Sequence, residues 1–434
     1  MPALEALRGS GIARAAFGLT GVQLVVMLLS FATGPIQARE LGPELRGQLA
    51  TVLIVGQIGA FLSDFGALGW ITRQVAHGER AGSVLRSAAP LLLAAWLVAV
   101  ALAFPIATMV GGSDESLLFW LLLFQILLLP FSSLVQAASG VALGSANWRF
   151  IAFVRLTGAV VPFIGLVVLL LVDEVTLLST VVCYYLAAVA AGVIALGVWW
   201  RSRPIATDVS AVRDAWRFGR GAWLSTLLNV SNLRADGLMV AAVLDFRSLG
   251  IYAVAATLAA LPGVVPAAVT QATARALSLD NLREFAAATV GAVLALAAIA
   301  ASAIALTAPV LVPLLFGDEF DEAVPVVWFL LTGTVLGAAA QTLGNAITLA
   351  AKPAVVAWAQ GAGVVTMLLG MAVLGPRFGI LGVAAASASG YGASFALLLT
   401  YARVNSGIPV RRWLLLSPRS VQLIYKRRKV QAEQ

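Results

Sequence analysis

Apolar runs long enough to cross a bilayer recur along almost the whole chain, broken by short charged loops. A spanning helix takes about 20 apolar residues. Runs of that length lie near 13–36, 47–70, 87–110, 117–143, 149–172, 175–199, 219–244, 250–273, 285–313, 324–349, 354–375 and 379–402. Backbone polar groups in lipid must be satisfied internally, which leaves helices or closed barrels. These runs are far longer than the ~10-residue alternating strands of a barrel, so the expected fold is all-α and integral to a membrane, with about twelve transmembrane helices. Composition agrees: 61% of residues are hydrophobic, 11% are charged and mean hydropathy is +0.96. A soluble protein carries roughly 25% charge. A soluble enzyme, a disordered chain and a disulfide scaffold are excluded.

Single residues exclude more. One cysteine, Cys183, permits no intramolecular disulfide, and one histidine, His77, permits no histidine cluster for a metal. The three lysines, Lys352, Lys426 and Lys429, follow no phosphate-cradling glycine loop, so no ATPase motif is present. No cofactor is expected. The net charge of +8 belongs to topology and anionic lipid rather than to nucleic acid. The first apolar run, about 15–34, is long enough to remain as a span rather than act as a cleaved signal.

With the N-terminus placed inside, the inner segments up to Lys352 hold fourteen Arg and Lys residues and the tail after residue 402 adds eight. The outer loops hold only Arg39, Arg46, Arg247 and Arg377, and carry the acidic pairs Asp114-Glu115, Asp173-Glu174 and Asp318-Glu319. Both termini are therefore expected on the cytoplasmic side; 25 Arg against 3 Lys, with abundant Ala, point to a GC-rich bacterial genome and so to a bacterial inner membrane. An internal repeat supports an even count. Leu102-Ala-Phe-Pro105 matches Leu306-Thr-Ala-Pro309 at an offset of 204, Gly47 matches Gly250 at 203, and Tyr185 matches Tyr391 at 206. Six spans per half gives a parallel repeat about an axis along the membrane normal. The expected organisation is an N-terminal half at 1–200, a cytoplasmic linker at 201–218, a C-terminal half at 219–402 and a basic tail at 403–434. Trp216 and Phe218 mark the linker as an interfacial helix leading into the seventh span.

Four stretches resemble the polysaccharide (O-antigen type) flippases of the MATE-like MOP transporter superfamily. They are residues 38–50, ARELGPELRGQLA, between the first two spans; residues 62–76, with Leu-Ser-Asp-Phe-Gly and Thr-Arg-Gln-Val-Ala; Arg234-Ala-Asp236 with Leu249-Gly-Ile-Tyr252; and residues 376–391. The family has Tyr before the glycine of the first stretch, where this chain has Arg46. The resemblance implies two six-helix lobes facing a central cavity. It also implies export of a polyprenyl-diphosphate-linked oligosaccharide for cell-surface polysaccharide synthesis by alternating access, beside a polysaccharide polymerase machinery.

Charges inside spans are costly and default to function. Four are present: Asp64, Arg155, Arg234 and Asp236. Asp64 and Arg155 share a depth in the first half; they either pair, or Arg155 snorkels to the inner surface. Arg234 lies about 22 Å along the seventh span, just past the midplane. Ser225, Asn229, Asn232 and Asp236 form one polar stripe, which faces either a cavity or a neighbouring helix. Arg grips a diphosphate bidentately, so the candidate substrate-binding residues are Arg155, Arg234, Asn229 and Asn232. A coupling ion needs a carboxylate, so the candidates are Asp64 and Asp236. With no nucleotide motif, an ion gradient is the expected energy source.

Pro130, Pro162, Pro262 and Pro266 mark bends. Gly140-x-x-x-Gly144 and Gly333-x-x-x-Gly337 mark close helix packing. Arg411-Arg412-Trp413 and Lys426-Arg-Arg-Lys429 read as a segment on the anionic inner leaflet, or as a topological anchor. Two other functions stay open: a small-molecule antiporter of the same superfamily, and a membrane polymerase or glycosyltransferase. The enzyme reading is disfavoured by outer loops of about ten residues or fewer. These place only carboxylates, Asp318, Glu319, Asp321 and Glu322, together.

Overall fold

The computed structural model describes residues 2–111, 116–202, 211–219, 236–263 without 238, 242 and 243, 283–349 and 352–414. The first helix, α1 (Pro2–Asp64), has 63 residues and would be about 95 Å long if straight, some three times the apolar thickness of a bilayer. It folds at Gly42, whose φ of 68° and ψ of 175° suit a residue without Cβ. The two legs run in opposite directions, as their partners show. On the first leg Gln23 meets Arg155 and Gln37 meets Tyr184, so it follows α6 (Trp148–Leu171) toward the start of α7 (Leu177–Arg201). On the second leg Gly56 lies against Gln125 and Ser63 against Ser133. That leg follows α4 (Leu117–Leu127) and α5 (Leu129–Gly144), and α5 turns back into α6 at 145–147.

The second expected span, 47–70, is interrupted. α1 ends at Asp64, Phe65 and Gly66 take φ of 45° and 75°, and α2 restarts at Ala67–Ala76. The span at 117–143 breaks at Leu128, with Pro130 in the first turn of α5; Pro162 lies inside α6. Between α2 and α4 runs α3 (Ala81–Gly111). Gly140 and Gly144 put α5 directly on α2, against Ile71 and Val75. That motif is an internal packing seam, as close backbone approach in lipid requires.

After 202 the chain is described again as α8 at 211–219. Ala215 is fully buried with Trp70, Ile71 and Leu85, and the Trp216 ring stacks on Phe65 at 5.1 Å. The linker therefore anchors on the broken second span.

α9 (Phe246–Ala260) is capped by Asp245 and runs into a tight turn at Leu261–Gly263 that contains Pro262; Pro266 lies outside the described residues. α10 (Arg283–Phe316), α11 (Ala323–Leu349), α12 (Pro353–Ser406) and the short α13 (Val410–Leu414) follow. α12 is a second hairpin, folded at Gly379 with φ 56°. Gly370 touches Ala386, Gly375 faces Val383, and Gly390 faces Gly363, so small residues zip its legs together. Gly333 and Gly337 on α11 receive the Tyr391 ring. α13 turns Trp413 inward, 3% exposed among Val290, Ala339 and Leu398.

The chain divides into two compact units, Met1–Val230 and Ser231–Gln434. Among the described residues nine helices are long and apolar enough to cross a membrane. Two of them, Gly21–Asp64 and Ala354–Ser406, contain the hairpins and hold two spans each. The expected span 219–244 lies largely outside the described residues. Large apolar side chains point outward, Leu171 at 81%, Leu306 at 82% and Val98 at 60% exposed. Many buried residues are Ala. Lipid tails accept the large side chains as well as a core would, and close packing favours the small ones inside. The protein is multi-pass.

Candidate functional site

Asp64 ends the second leg of α1 and is 5% exposed. The left-handed Phe65-Gly66 step turns the chain so that the carboxylate caps the helix after it. Oδ1 accepts the Leu68 N–H at 3.0 Å, and the Gly66 N–H also reaches the carboxylate. Freed N–H groups at a helix start attract an anion, and Asp64 supplies it from within the chain. Stacking of Trp216 on Phe65 and the close approach of Gly219 to the Phe65 carbonyl pin this break from the α8 side.

Arg155 does not pair with Asp64. Its Nη1 donates to Gln23 Oε1 at 3.1 Å, joining α6 to the first leg of α1. Its side chain is exposed. Arg234, Asn229 and Asn232 lie outside the described residues.

Asp236 opens the described part of the seventh span. Its Oδ1 accepts the Gly237 N–H at 2.8 Å and its Oδ2 accepts the Tyr252 hydroxyl at 2.7 Å. Tyr252, on α9, is 2% exposed and also hydrogen-bonds Ser387; Tyr391 is electrostatically coupled to it. Asp236 thus sits in a polar corner formed by the seventh span, α9 and the second leg of α12. A hydroxyl-to-carboxylate hydrogen bond is stronger than one between neutral groups.

A third charged group is embedded although its sequence position reads as a loop. Arg46, 8% exposed, shares with Asp64 the distinction of being a buried charged side chain among the described residues. It stands in the first turns after Gly42, beside Tyr184, whose oxygen accepts Gln37 Nε2–H at 2.8 Å. The sequence placed Arg46 in an outer loop as a topological charge. The signal that singles it out is its replacement of the family's tyrosine.

Residues 12–275 match the model of a family described as polysaccharide biosynthesis protein. The chain belongs to this family. The resemblance read from its motifs is thereby borne out at the family level. Among solved structures, it is similar to the lipid II flippase MurJ in an inward closed conformation, with 12% identity, TM-score 0.77, and 94% of this chain and 91% of that one covered. It is also similar to an inward-facing multidrug resistance MATE family transporter of the MOP superfamily, with 15% identity, TM-score 0.65, and coverage of 89% and 98%. A third likeness is to the Vibrio cholerae MATE transporter VcmN in the bent form, with 15% identity, TM-score 0.57, and coverage of 93% and 99%. No match was found among curated protein sequences. The fold of this family member is thus the MATE-like fold expected for it.

Proposed function

We propose that this chain is a flippase that moves a polyprenyl-diphosphate-linked oligosaccharide from the inner to the outer leaflet by alternating access. The observation that carries the proposal is the family match over residues 12–275, a polysaccharide biosynthesis family, on a multi-pass helical chain. The likeness to MurJ, at a TM-score of 0.77 against 0.65 and 0.57 for the two MATE transporters, favours a lipid-linked cargo over the small-molecule antiport of the alternative. Of the outer carboxylates of the enzyme alternative, Glu322 is turned to Arg247 at 3.5 Å in a surface ion pair. In this proposal the chain lies in a bacterial inner membrane with both termini cytoplasmic, a reading the positive-inside distribution supports, and the basic tail lies on anionic lipid.

Asp236 is the coupling carboxylate in this proposal, and Tyr252 positions it. A charge moved through 100 mV is worth about 2.3 kcal/mol, enough for one or two protons or sodium ions to bias the cycle. Arg234, Asn229, Asn232 and Arg155 take the diphosphate and first sugars. The test is translocation of a radiolabelled lipid-linked oligosaccharide in proteoliposomes with and without an imposed ion gradient. Net transport should vanish without the gradient. It should fall roughly tenfold or more in Tyr252→Phe, since a hydrogen bond to a charged group contributes about 1.5–3 kcal/mol. Wild-type rates in Arg234→Ala and Asp236→Ala, at normal membrane levels, would sink the site. Transport of a cationic drug in place of the glycolipid would favour the antiporter.

A further inference from the structure

Buried charge is tolerated only when it is answered. Asp64 is answered by backbone N–H groups. Arg46 is not. Its Nε is buried with no hydrogen-bond partner. The nearby acids of the same hairpin, Glu40 and Glu44, are exposed and form no ion pair with it. Arg46 also stands in the opening turns of the second leg, just after Gly42-Pro43, where the helix dipole is positive and repels a cation. Burial, absence of a counter-charge and the helix end all act in one direction, and a bound anion relieves all three.

The neighbouring side chain supplies a second idle donor. The Tyr184 oxygen already accepts from Gln37 Nε2, so its own hydroxyl hydrogen is free to donate elsewhere. Tyr184 is only half-buried, which leaves a way in. The Arg46 Nε–H and the Tyr184 hydroxyl hydrogen, on electrostatically coupled side chains, therefore both lack an acceptor.

We propose that Arg46 and Tyr184, with Gln37 orienting Tyr184, form an anion site in the first unit for a phosphate-class oxyanion, taken from free phosphate or from a lipid phosphate. Guanidinium geometry matches two oxygens of such a group. The site is separate from the Asp236 corner and is tested without glycolipid, so its failure is distinguishable from failure of the transport proposal.

The test is thermal unfolding of the full chain in a non-ionic detergent at constant ionic strength. One arm titrates inorganic phosphate; the other adds short-chain phosphatidic acid to the micelles. Ligand that binds only the folded state raises the melting temperature in a concentration-dependent way. Wild type should rise in at least one arm, and the arm that responds identifies the source. Arg46→Met should lose the response yet melt no lower than wild type in ligand-free buffer, because it removes an unanswered charge. Tyr184→Phe should weaken the response roughly tenfold. An unchanged response in Arg46→Met, no response of wild type in either arm, or a ligand-free Arg46→Met that melts well below wild type would each overturn the proposal.

Discussion

Asp64 can be made to choose between two roles with two substitutions. As a helix cap it needs only an acceptor oxygen within reach of the Leu68 N–H, now 3.0 Å away. As an ion-coupling group it needs a titratable charge. Asp64→Asn keeps the acceptor and removes the charge; Asp64→Ala removes both. Loss of a capping side chain costs about 0.5–2 kcal/mol. The upper half of that range applies here, because the group is 5% exposed and water cannot replace the bond. The capping role predicts Asp64→Ala destabilised by about 1–2 kcal/mol, with Asp64→Asn within about 0.5 kcal/mol of wild type. The assay is a denaturant titration in mixed micelles, paired with gradient-driven transport in proteoliposomes. Full transport in Asp64→Asn would assign Asp64 to structure and leave coupling to Asp236. Transport lost in Asp64→Asn with stability intact would refute that assignment. Equal destabilisation of the two variants would refute the capping geometry itself.

Two further outcomes follow from local geometry. A methyl group added at Gly144 would lie 2.8 Å from the Thr72 carbonyl oxygen and 2.7 Å from Val75 Cβ, whereas at Gly158 nothing lies within 4 Å. Gly144→Ala should therefore cost about 1–3 kcal/mol in unfolding free energy, as overpacking does. Gly158→Ala should be neutral or stabilising by up to about 1 kcal/mol; equal effects would remove the α2–α5 seam from the account. Asp245, at the start of α9, is held below the usual aspartate range by its hydrogen bonds to Ser248. Its folded-state pKa is depressed, so its contribution is full above the ordinary value of 3.8 and is lost as pH falls below it toward the folded value. Asp245→Asn, which keeps the acceptor, should flatten that acid limb of the melting curve, and an unchanged limb would contradict the assignment.

The spans were legible because each is a long apolar run, and hydropathy reads that directly. Their ends were less so. The stretches around 37–46 and 376–378 read as loops because they carry charges, yet the helices run up to a single glycine in each, Gly42 and Gly379. A left-handed glycine reverses a helix in one residue, and no composition signal separates that from a short loop. The break at Phe65 was hidden for a related reason: a bulky residue with φ of 45° is a conformation held by its surroundings, here the Trp216 ring of the linker helix. With the break unseen, the carboxylate before it read as a charge adrift in a span rather than as a cap. Tyr252 carries no signal of its own in the sequence, since an aromatic at helical spacing in an apolar run looks like core. Only the fold brings it to Asp236. Arg46 failed in the opposite sense, counted with the outer-loop cations when it is buried. Depth along the sequence marks charges inside spans, but a hairpin end can be buried by its own unit wherever it sits in the membrane. What decides whether a charge in such a chain calls for a ligand is whether the backbone or a neighbouring side chain already answers it: Asp64 and Asp236 are answered, and Arg46 is not.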